Sequence, residues 1–188
     1  MSAIFCALMC FLSGSKAQTF SKRFEFGPNS VPTNVWETVN GYMSVGVIID
    51  TTGKDGGYHF DMFIAGFGAE GDTNFVKYYG QPTDEFFPGN DANWQLNDTL
   101  FLFAATRKTN SYLKSALVWI NLEGDTLETK DFDPPWPVSS PGDVNNWAIP
   151  EYISLDAQGN IYMAVHTVNY GSWNNFSIYK ISPAGELF

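Results

Sequence analysis

The sequence predicts an all-β fold built from tandem four-stranded antiparallel meander units, and three observations support this. The chain of 188 residues is 44% hydrophobic and 16% aromatic, with 17 Gly and 10 Pro. Aromatic residues suit half-buried strands, whereas Gly and Pro mark turns. Beyond residue 30, short apolar runs alternate with turn dipeptides and show no sustained helical period. The same order of runs and turns occurs three times along the chain.

The first segment has the features of a secretory signal peptide. An apolar run at residues 3–12 is too short to span a bilayer, and Ser15 and Ala17 supply the small residues that precede a cleavage site. A buried N-terminal strand or helix is the alternative, because the segment lacks a basic residue ahead of the run. Cys10 could mark a lipid-anchored form, but the preceding Met9 fits lipoprotein processing poorly.

Residues 1–17, the predicted signal peptide, contain both cysteines of the chain, Cys6 and Cys10. The mature protein, residues 18–188, would then have no disulfide, thiol nucleophile or cysteine metal site. The 20 Asp and Glu against 10 Lys and Arg give a net charge of -10, which repels nucleic-acid backbones and anionic lipid surfaces. We therefore expect a secreted or cell-surface protein with no nucleic-acid partner and no membrane span.

Each predicted unit contains two hairpins. The first tight turns are Asn40-Gly41, Asn97-Asp98 and Gly159-Asn160, and each precedes an apolar run. A second apolar run in each unit ends at a second turn, which reads Glu-Gly-Asp-Thr at residues 70–73 and again at residues 123–126. Lead-in strands near Trp36, Trp94 and Tyr152, together with an outer strand such as residues 74–79 or 127–132, complete four strands per unit.

A repeated four-stranded antiparallel unit is typical of a β-propeller blade. A single β-sandwich with similar hairpins is the alternative. The predicted blades are residues 33–80, 91–133 and 147–188, within one propeller domain of residues 18–188. Three blades are fewer than a closed propeller needs, so we expect an incomplete propeller. Its open face would then be covered either by blades that this sequence lacks or by self-association.

Two segments carry a family resemblance: the turn at Leu155–Asn160 and the closing run at Phe75–Gly80. With the repeated units, they make residues 30–188 resemble the secreted bacterial β-propeller repeat proteins, although the WD dipeptide and the regular kelch glycine pair are absent. The resemblance implies an extracellular, mostly non-enzymatic binding scaffold of a bacterium.

The sequence contains no motif that identifies a reaction. His59 and His166 are the only histidines and are far apart, so no zinc-binding pattern exists, and neither a nucleophile elbow nor a phosphate-binding loop is present. Facing carboxylates remain as a catalytic option, because glycoside hydrolysis needs only two of them. The acids that we expect in loops are Asp84, Glu85, Asp131, Asp133 and Asp143.

No cofactor is expected from these patterns. A calcium loop is the open alternative, because Asp50, Asp55 and the Gly56-Gly57 pair form an oxygen-rich segment. Their spacing does not match an EF-hand.

Strand parity predicts where binding residues lie. In an antiparallel meander the first and third turns share one end, which we call the turn end, and the middle loop and the return connection share the other, which we call the loop end. The sequence predicts long connections only at the loop end: residues 51–60, 80–93, 107–114, 133–146 and 169–175. Loops on a rigid scaffold supply a disproportionate share of binding residues.

The expected binding residues lie at the loop end, with Arg107 and Lys108 as nearby cations: Trp136, Trp173, Tyr170, His59, Asp84 and Glu85. Exposed aromatic rings provide platforms for sugars and peptides, and the alternative is that Trp136 and Trp173 fill gaps between blades. The predicted function is an extracellular non-enzymatic binding or adhesion scaffold for a glycan, a peptide or a surface protein. A carbohydrate-active enzyme using loop carboxylates is the second hypothesis.

Overall fold

A computed structural model describes residues 29–50, 59–80, 84–109, 113–133, 146–169 and 175–188. The predicted signal peptide lies outside these residues. The described part of the chain contains strands and turns and no helix, so the predicted all-β class is confirmed. In the same residues there is no helix long and apolar enough to cross a membrane.

Eleven strands form the fold, in the following order: β1 Ser30–Thr38, β2 Gly41–Asp50, β3 His59–Gly68, β4 Thr73–Tyr79, β5 Asp84–Asn97, β6 Leu100–Thr109, β7 Leu113–Asn121, β8 Thr126–Phe132, β9 Asn146–Leu155, β10 Ile161–Asn169 and β11 Asn175–Ile181. Sequential strands pair antiparallel within three meanders. We call β1–β4 unit 1, β5–β8 unit 2 and β9–β11 unit 3.

Units 2 and 3 join into one curled sheet of order β11-β10-β9-β5-β6-β7-β8, and unit 1 is a separate sheet of order β1-β2-β3-β4. The link is a parallel contact between the lead-in strands β5 and β9, at Asp91 and Tyr152. The lead-in strand of unit 1 also reaches β5, because Asn34 donates a side-chain hydrogen bond to Asn93. First strands that meet side by side are the arrangement of a propeller-like fold.

The core lies between neighbouring units. One cluster joins Met43, Val45, Met62 and Ile64 of unit 1 to Phe101, Phe103, Val118 and Ile120 of unit 2. A second joins Leu102, Ala104, Leu117 and Trp119 of unit 2 to Ile161, Met163, Tyr179 and Ile181 of unit 3. Alternate residues of β6 and β7 therefore face opposite neighbours, because side chains alternate across a strand. Among the described residues, units 1 and 3 share no large interface.

The second turns of the three units have the same backbone geometry. Gly71, Gly124 and Gly185 have φ of 77°, 77° and 78°. In each turn the glycine N–H donates to the carbonyl three residues earlier, at 2.9, 3.0 and 2.9 Å. Positive φ is the left-handed region that glycine adopts without a Cβ penalty, which explains the glycine at this place in every unit.

Two predicted loops are largely strand. β5 begins at Asp84, so residues 84–88 and Asn93 pair with β6 where a return loop was expected, and β6 and β7 leave only residues 110–112 between them. Asp84, Glu85 and Asp131 were expected in loops and lie on strands. The physical reason is cross-strand pairing: Glu85 faces Lys108, and Phe86 faces Arg107, across the β5–β6 ladder.

Candidate functional site

The loop end of unit 2 holds the described residues that bear most directly on the predicted site. There the beginnings of β5 and β7 meet the ends of β6 and β8, because antiparallel strands alternate in direction. The connections at this end are residues 51–58, 80–83, 110–112, 133–145 and 170–174. Two of these connections are short, whereas the sequence predicted long connections throughout the loop end.

Glu85 is a buried carboxylate at this end, with the residue 5% exposed. Lys108 donates to its Oε1 at 2.7 Å, and the backbone N–H of Phe60 approaches its Oε2 at 3.4 Å. The partner ammonium remains partly exposed. A buried carboxylate needs such compensation, since an unpaired buried charge is strongly unfavourable. Glu85 therefore ties the start of β5 to β6 and to β3.

Arg107 forms the second charge pair of the loop end. Its Nη1 donates to both carboxylate oxygens of Asp131, at 3.2 and 3.0 Å. The guanidinium carbon also lies 5.3 Å from the centre of the Phe86 ring, within cation–π range. About a quarter of the Arg107 and Asp131 side chains is exposed. This pair is therefore partly accessible to a ligand.

Lys114 and Asp133 form a third pair at the same end, with Nζ 2.9 Å from Oδ1 and most of the Asp133 side chain exposed. The Tyr179 hydroxyl donates to the Asp133 carbonyl at 3.3 Å, which links unit 3 to the end of β8. Burial, with a smaller contribution from the Asp133 charge, raises the pKa of Tyr179 to about 12. Tyr179 is therefore a neutral packing group over the physiological pH range.

Ring contacts complete the described part of the loop end. Phe60 and Phe87 meet edge to face, with their centroids 5.1 Å apart. Both are half-buried. Such pairs stabilise strand ends beyond the area that they bury. The described part of the loop end thus carries paired charges on β5, β6, β7 and β8 and aromatic rings on β3 and β5.

Glu85, Asp131 and Asp133 each form an ion pair with a different cation. Within the residues that the structure describes, no group of three or more His, Cys, Asp or Glu side chains could hold a metal ion. Asp55, the Gly56-Gly57 pair and Asp143 lie outside them, so the calcium and carboxylate hypotheses stay predictions for those positions.

The predicted binding residues are only partly placed. Trp136, Trp173 and Tyr170 lie outside the described residues. His59 begins β3 and Asp84 begins β5, so both backbones lie at the loop end, on strands and not in the loops that the sequence suggested. Of the six residues, Glu85 has a described side chain, and it is buried and ion-paired.

The turn end contains a feature that the sequence interpretation missed. A cleft of about 190 Å³ lies between units 1 and 2, lined by Thr38, Asn40, Tyr42, Phe75, Leu122 and Glu123 among others. It forms where the second turn of unit 2 meets the first hairpin of unit 1. Those two segments lie about 80 residues apart in the sequence, so short-range patterns carry no signal for their meeting.

The second missed feature is an ion pair that occurs twice, each time joining one unit to the next. Lys77 on β4 pairs with Asp125 after the turn glycine of unit 2, and Lys130 on β8 lies 3.2 Å from Glu186 after the turn glycine of unit 3. The Lys77 hydrogen bond holds the pKa of Asp125 below its ordinary value, and the Glu186 hydrogen bond raises the pKa of Lys130. The sequence does contain a signal for these two ion pairs, because each lysine follows the turn glycine of its own unit by six positions.

No protein-family model matches this chain, and comparison with curated protein sequences gives no similar protein.

Proposed function

We propose that this protein is an extracellular, non-enzymatic binding or adhesion scaffold that engages a glycan, a peptide or a surface protein at its loop end. The observation that carries the proposal is the division between the two ends of the units. One end consists of hydrogen-bonded turns, three of them with matched glycine geometry. The other carries the longest connections, residues 51–58 and 133–145. Rigid scaffolds with variable loops at one end are suited to recognition.

The chemistry at the loop end supports binding more than catalysis. The partly exposed Arg107–Asp131 pair offers both donors and acceptors beside half-buried rings. A polar ligand with hydroxyl or amide groups can exchange hydrogen bonds with such a pair without burying an unpaired charge. The tryptophans and the tyrosine of the adjoining connections would supply stacking surface to the same ligand.

Two matched triple variants test this proposal. The loop-end variant carries Trp136→Ala, Tyr170→Ala and Trp173→Ala. The turn-end variant carries Asn40→Ala, Glu123→Ala and Tyr42→Phe, which alter the cleft. Wild type and both variants are applied to the same immobilised panel of polysaccharides, peptidoglycan fragments and extracellular-matrix proteins.

We expect the loop-end variant to bind its probe at least about tenfold more weakly than wild type, since aromatic anchors buried in an interface each contribute on the order of 1–2 kcal/mol. The turn-end variant should bind within about twofold of wild type. Circular dichroism and thermal melting verify that both variants fold. Loss of binding in the turn-end variant alone would move the site to the cleft and refute the proposal.

A further inference from the structure

The cleft at the turn end carries chemistry that the proposed function does not use. It lies between units 1 and 2 and has a volume of about 190 Å³. Pockets for drug-sized ligands are about 300–1,000 Å³, so this cleft suits a smaller group, such as a single side chain. It lies at the opposite end of the units from the loop end, and its interpretation does not rest on the proposed function.

Unit 1 has a glycine in the cleft where unit 2 has a tryptophan. Gly66 and Trp119 each lie five residues before the second-turn glycine of their unit. They occupy the same register position, opposite Met43 and Leu102, respectively. Trp119 is 8% exposed and belongs to the core cluster between units 2 and 3. Gly66 lines the cleft and has no side chain to fill the equivalent place between units 1 and 2.

Aromatic rings line this cleft. Tyr42 and Phe75 are half-buried, and both contribute to its wall. The Phe75 ring packs against the backbone of two glycines, because a Cβ on Gly66 or Gly124 would lie 2.3 or 2.6 Å from its ring carbons. The same ring lies within cation–π range of Lys77, whose Nζ is 5.7 Å from its centre. The cleft wall therefore has the aromatic character that attracts cations.

Glu123 gives the cleft a negative charge. It is exposed, it lines the cleft, and the described lining residues include no Lys or Arg to balance it. Lys77 reaches the same turn but pairs there with Asp125, so its charge is already compensated. The chain as a whole has a net charge of -10. An anionic ligand would therefore be repelled at this cleft, whereas a cation would be attracted.

The turn that carries Glu123 is held in place from both units. Within unit 2, the Gly124 N–H donates to the Asn121 carbonyl at 3.0 Å, and the Asp125 N–H donates to the Asn121 side-chain oxygen at 2.7 Å. From unit 1, the Tyr79 hydroxyl donates to the Gly124 carbonyl. The Glu123 carboxylate is thus attached to a fixed backbone, which reduces the ordering cost of binding a ligand.

Two exposed carboxamides, those of Asn40 and Asn74, also line the cleft, and their oxygens can accept hydrogen bonds from a ligand N–H. From these observations we propose that the turn-end cleft binds an organic cation, an alkylammonium or guanidinium group such as the side chain of a lysine or an arginine. The apolar stem of the ligand packs against the rings of Tyr42 and Phe75. Its charged head lies near the Glu123 carboxylate and the carboxamides.

An NMR titration of the full chain, followed by its amide resonances at low salt, tests this proposal. The probes are the peptide acetyl-Gly-Lys-Gly-amide, the neutral peptide with norleucine in place of the lysine, and butylammonium as a free amine. Glu123→Gln removes the carboxylate, and Tyr42→Leu removes one aromatic ring. Glu70→Gln is the matched control, because Glu70 precedes the turn glycine of unit 1 as Glu123 precedes that of unit 2, and it does not line the cleft. The amide spectrum of each variant verifies that it folds.

We expect the lysine peptide to shift the cleft resonances saturably and to bind about tenfold more tightly than the norleucine peptide, since an ion pair and a cation–π contact both contribute. Glu123→Gln and Tyr42→Leu should each weaken its binding about threefold, and Glu70→Gln should leave it unchanged.

The comparison with butylammonium identifies the source of the cation. Tighter binding of the lysine peptide would assign the cleft to a basic side chain of a polypeptide, and equal or tighter binding of butylammonium would assign it to a free amine; either result supports an organic-cation site. Equal binding of the lysine and norleucine peptides would overturn the proposal, as would unchanged binding in Glu123→Gln or the absence of saturable shifts with every probe.

Discussion

Ile64, Leu117 and Ile178 each lie on the third strand of a unit, seven residues before the glycine of the second turn. Their replacement with Ala should nevertheless give very different losses of stability at the first two positions and at the third. Ile64 and Leu117 are 0% exposed, so truncation removes a fully buried side chain and leaves a cavity between neighbouring units. Such substitutions cost about 2–5 kcal/mol of unfolding free energy. For a domain of this size that loss lowers Tm by roughly 4–20 °C.

Ile178→Ala should cost less than about 1 kcal/mol. Ile178 is 66% exposed, so only a third of its side chain leaves water on folding. Full burial of such a side chain contributes about 1.5–3 kcal/mol, and a third of that is about 0.5–1 kcal/mol. Ile64→Val and Ile178→Val serve as controls for strand propensity, because Val and Ile are both β-branched.

Urea unfolding, followed by tryptophan fluorescence and far-UV circular dichroism at matched protein concentration, measures these differences. The variants should share one m-value, so that midpoints report stability alone. A loss for Ile178→Ala as large as that for Ile64→Ala would refute the reasoning, since it would mean that the Ile178 side chain is covered in the isolated chain.

Three further predictions follow from particular contacts. The pKa of Tyr179 is about 12 in the folded protein, against an ordinary value of 10.0. Its neutral hydroxyl therefore stabilises the fold fully below pH 10, and this contribution is lost as the pH rises to 12. The Tyr179→Phe variant should show a shallower decline in stability than wild type between pH 10 and 12, in base titrations followed by circular dichroism. Gly89→Ala should lower the free energy of unfolding by about 1–3 kcal/mol in urea titrations, because an added Cβ would lie 2.0 Å from the Pro150 carbonyl oxygen. An unchanged free energy of unfolding would contradict this, since it would mean that β5 and β9 can move apart without loss of stability. A double-mutant cycle on Lys130→Ala and Glu186→Ala should give a small favourable coupling that 1 M salt removes, and a salt-independent value would contradict a surface ion pair.

The strand order was predictable because its signals are local. The Asn97 carboxamide accepts from the Thr99 N–H and hydroxyl, at 2.9 and 3.0 Å, and so forms the turn that its position between two apolar runs predicts. Asp156 organises the first turn of unit 3 in the same way, and the Asn160 hydrogen bonds hold the pKa of its carboxyl below the ordinary value. Such signals span four or five residues and need no tertiary information.

The start of β5 was not predictable in the same way. Pro88, Gly89, Asn90 and the acids before them have the composition of a loop. Tertiary context overrides that composition, because Glu85 pairs with Lys108 and the backbone of Gly89 lies against Pro150 of β9. The register shift between Pro88 and Asn93 accommodates the irregular segment as a bulge.

The candidate site was predictable only at the level of which end of the units it occupies. Parity of antiparallel strands places Glu85, Arg107 and Lys108 together at the loop end. Parity does not reveal that Glu85 is buried against Lys108, or that Arg107 pairs with Asp131 across two strands. Those pairings depend on register and packing, which a single sequence leaves open.

Binding without turnover is the most direct test of the proposed scaffold function. The purified protein is incubated with each polysaccharide of the panel, bound material is recovered, and both the free and the bound fractions are analysed for shortened products by mass spectrometry. The scaffold function predicts saturable binding to at least one probe, which is recovered intact. Release of shortened products that stops in the Glu85→Gln or Asp131→Asn variant would contradict it and identify a carbohydrate-active enzyme.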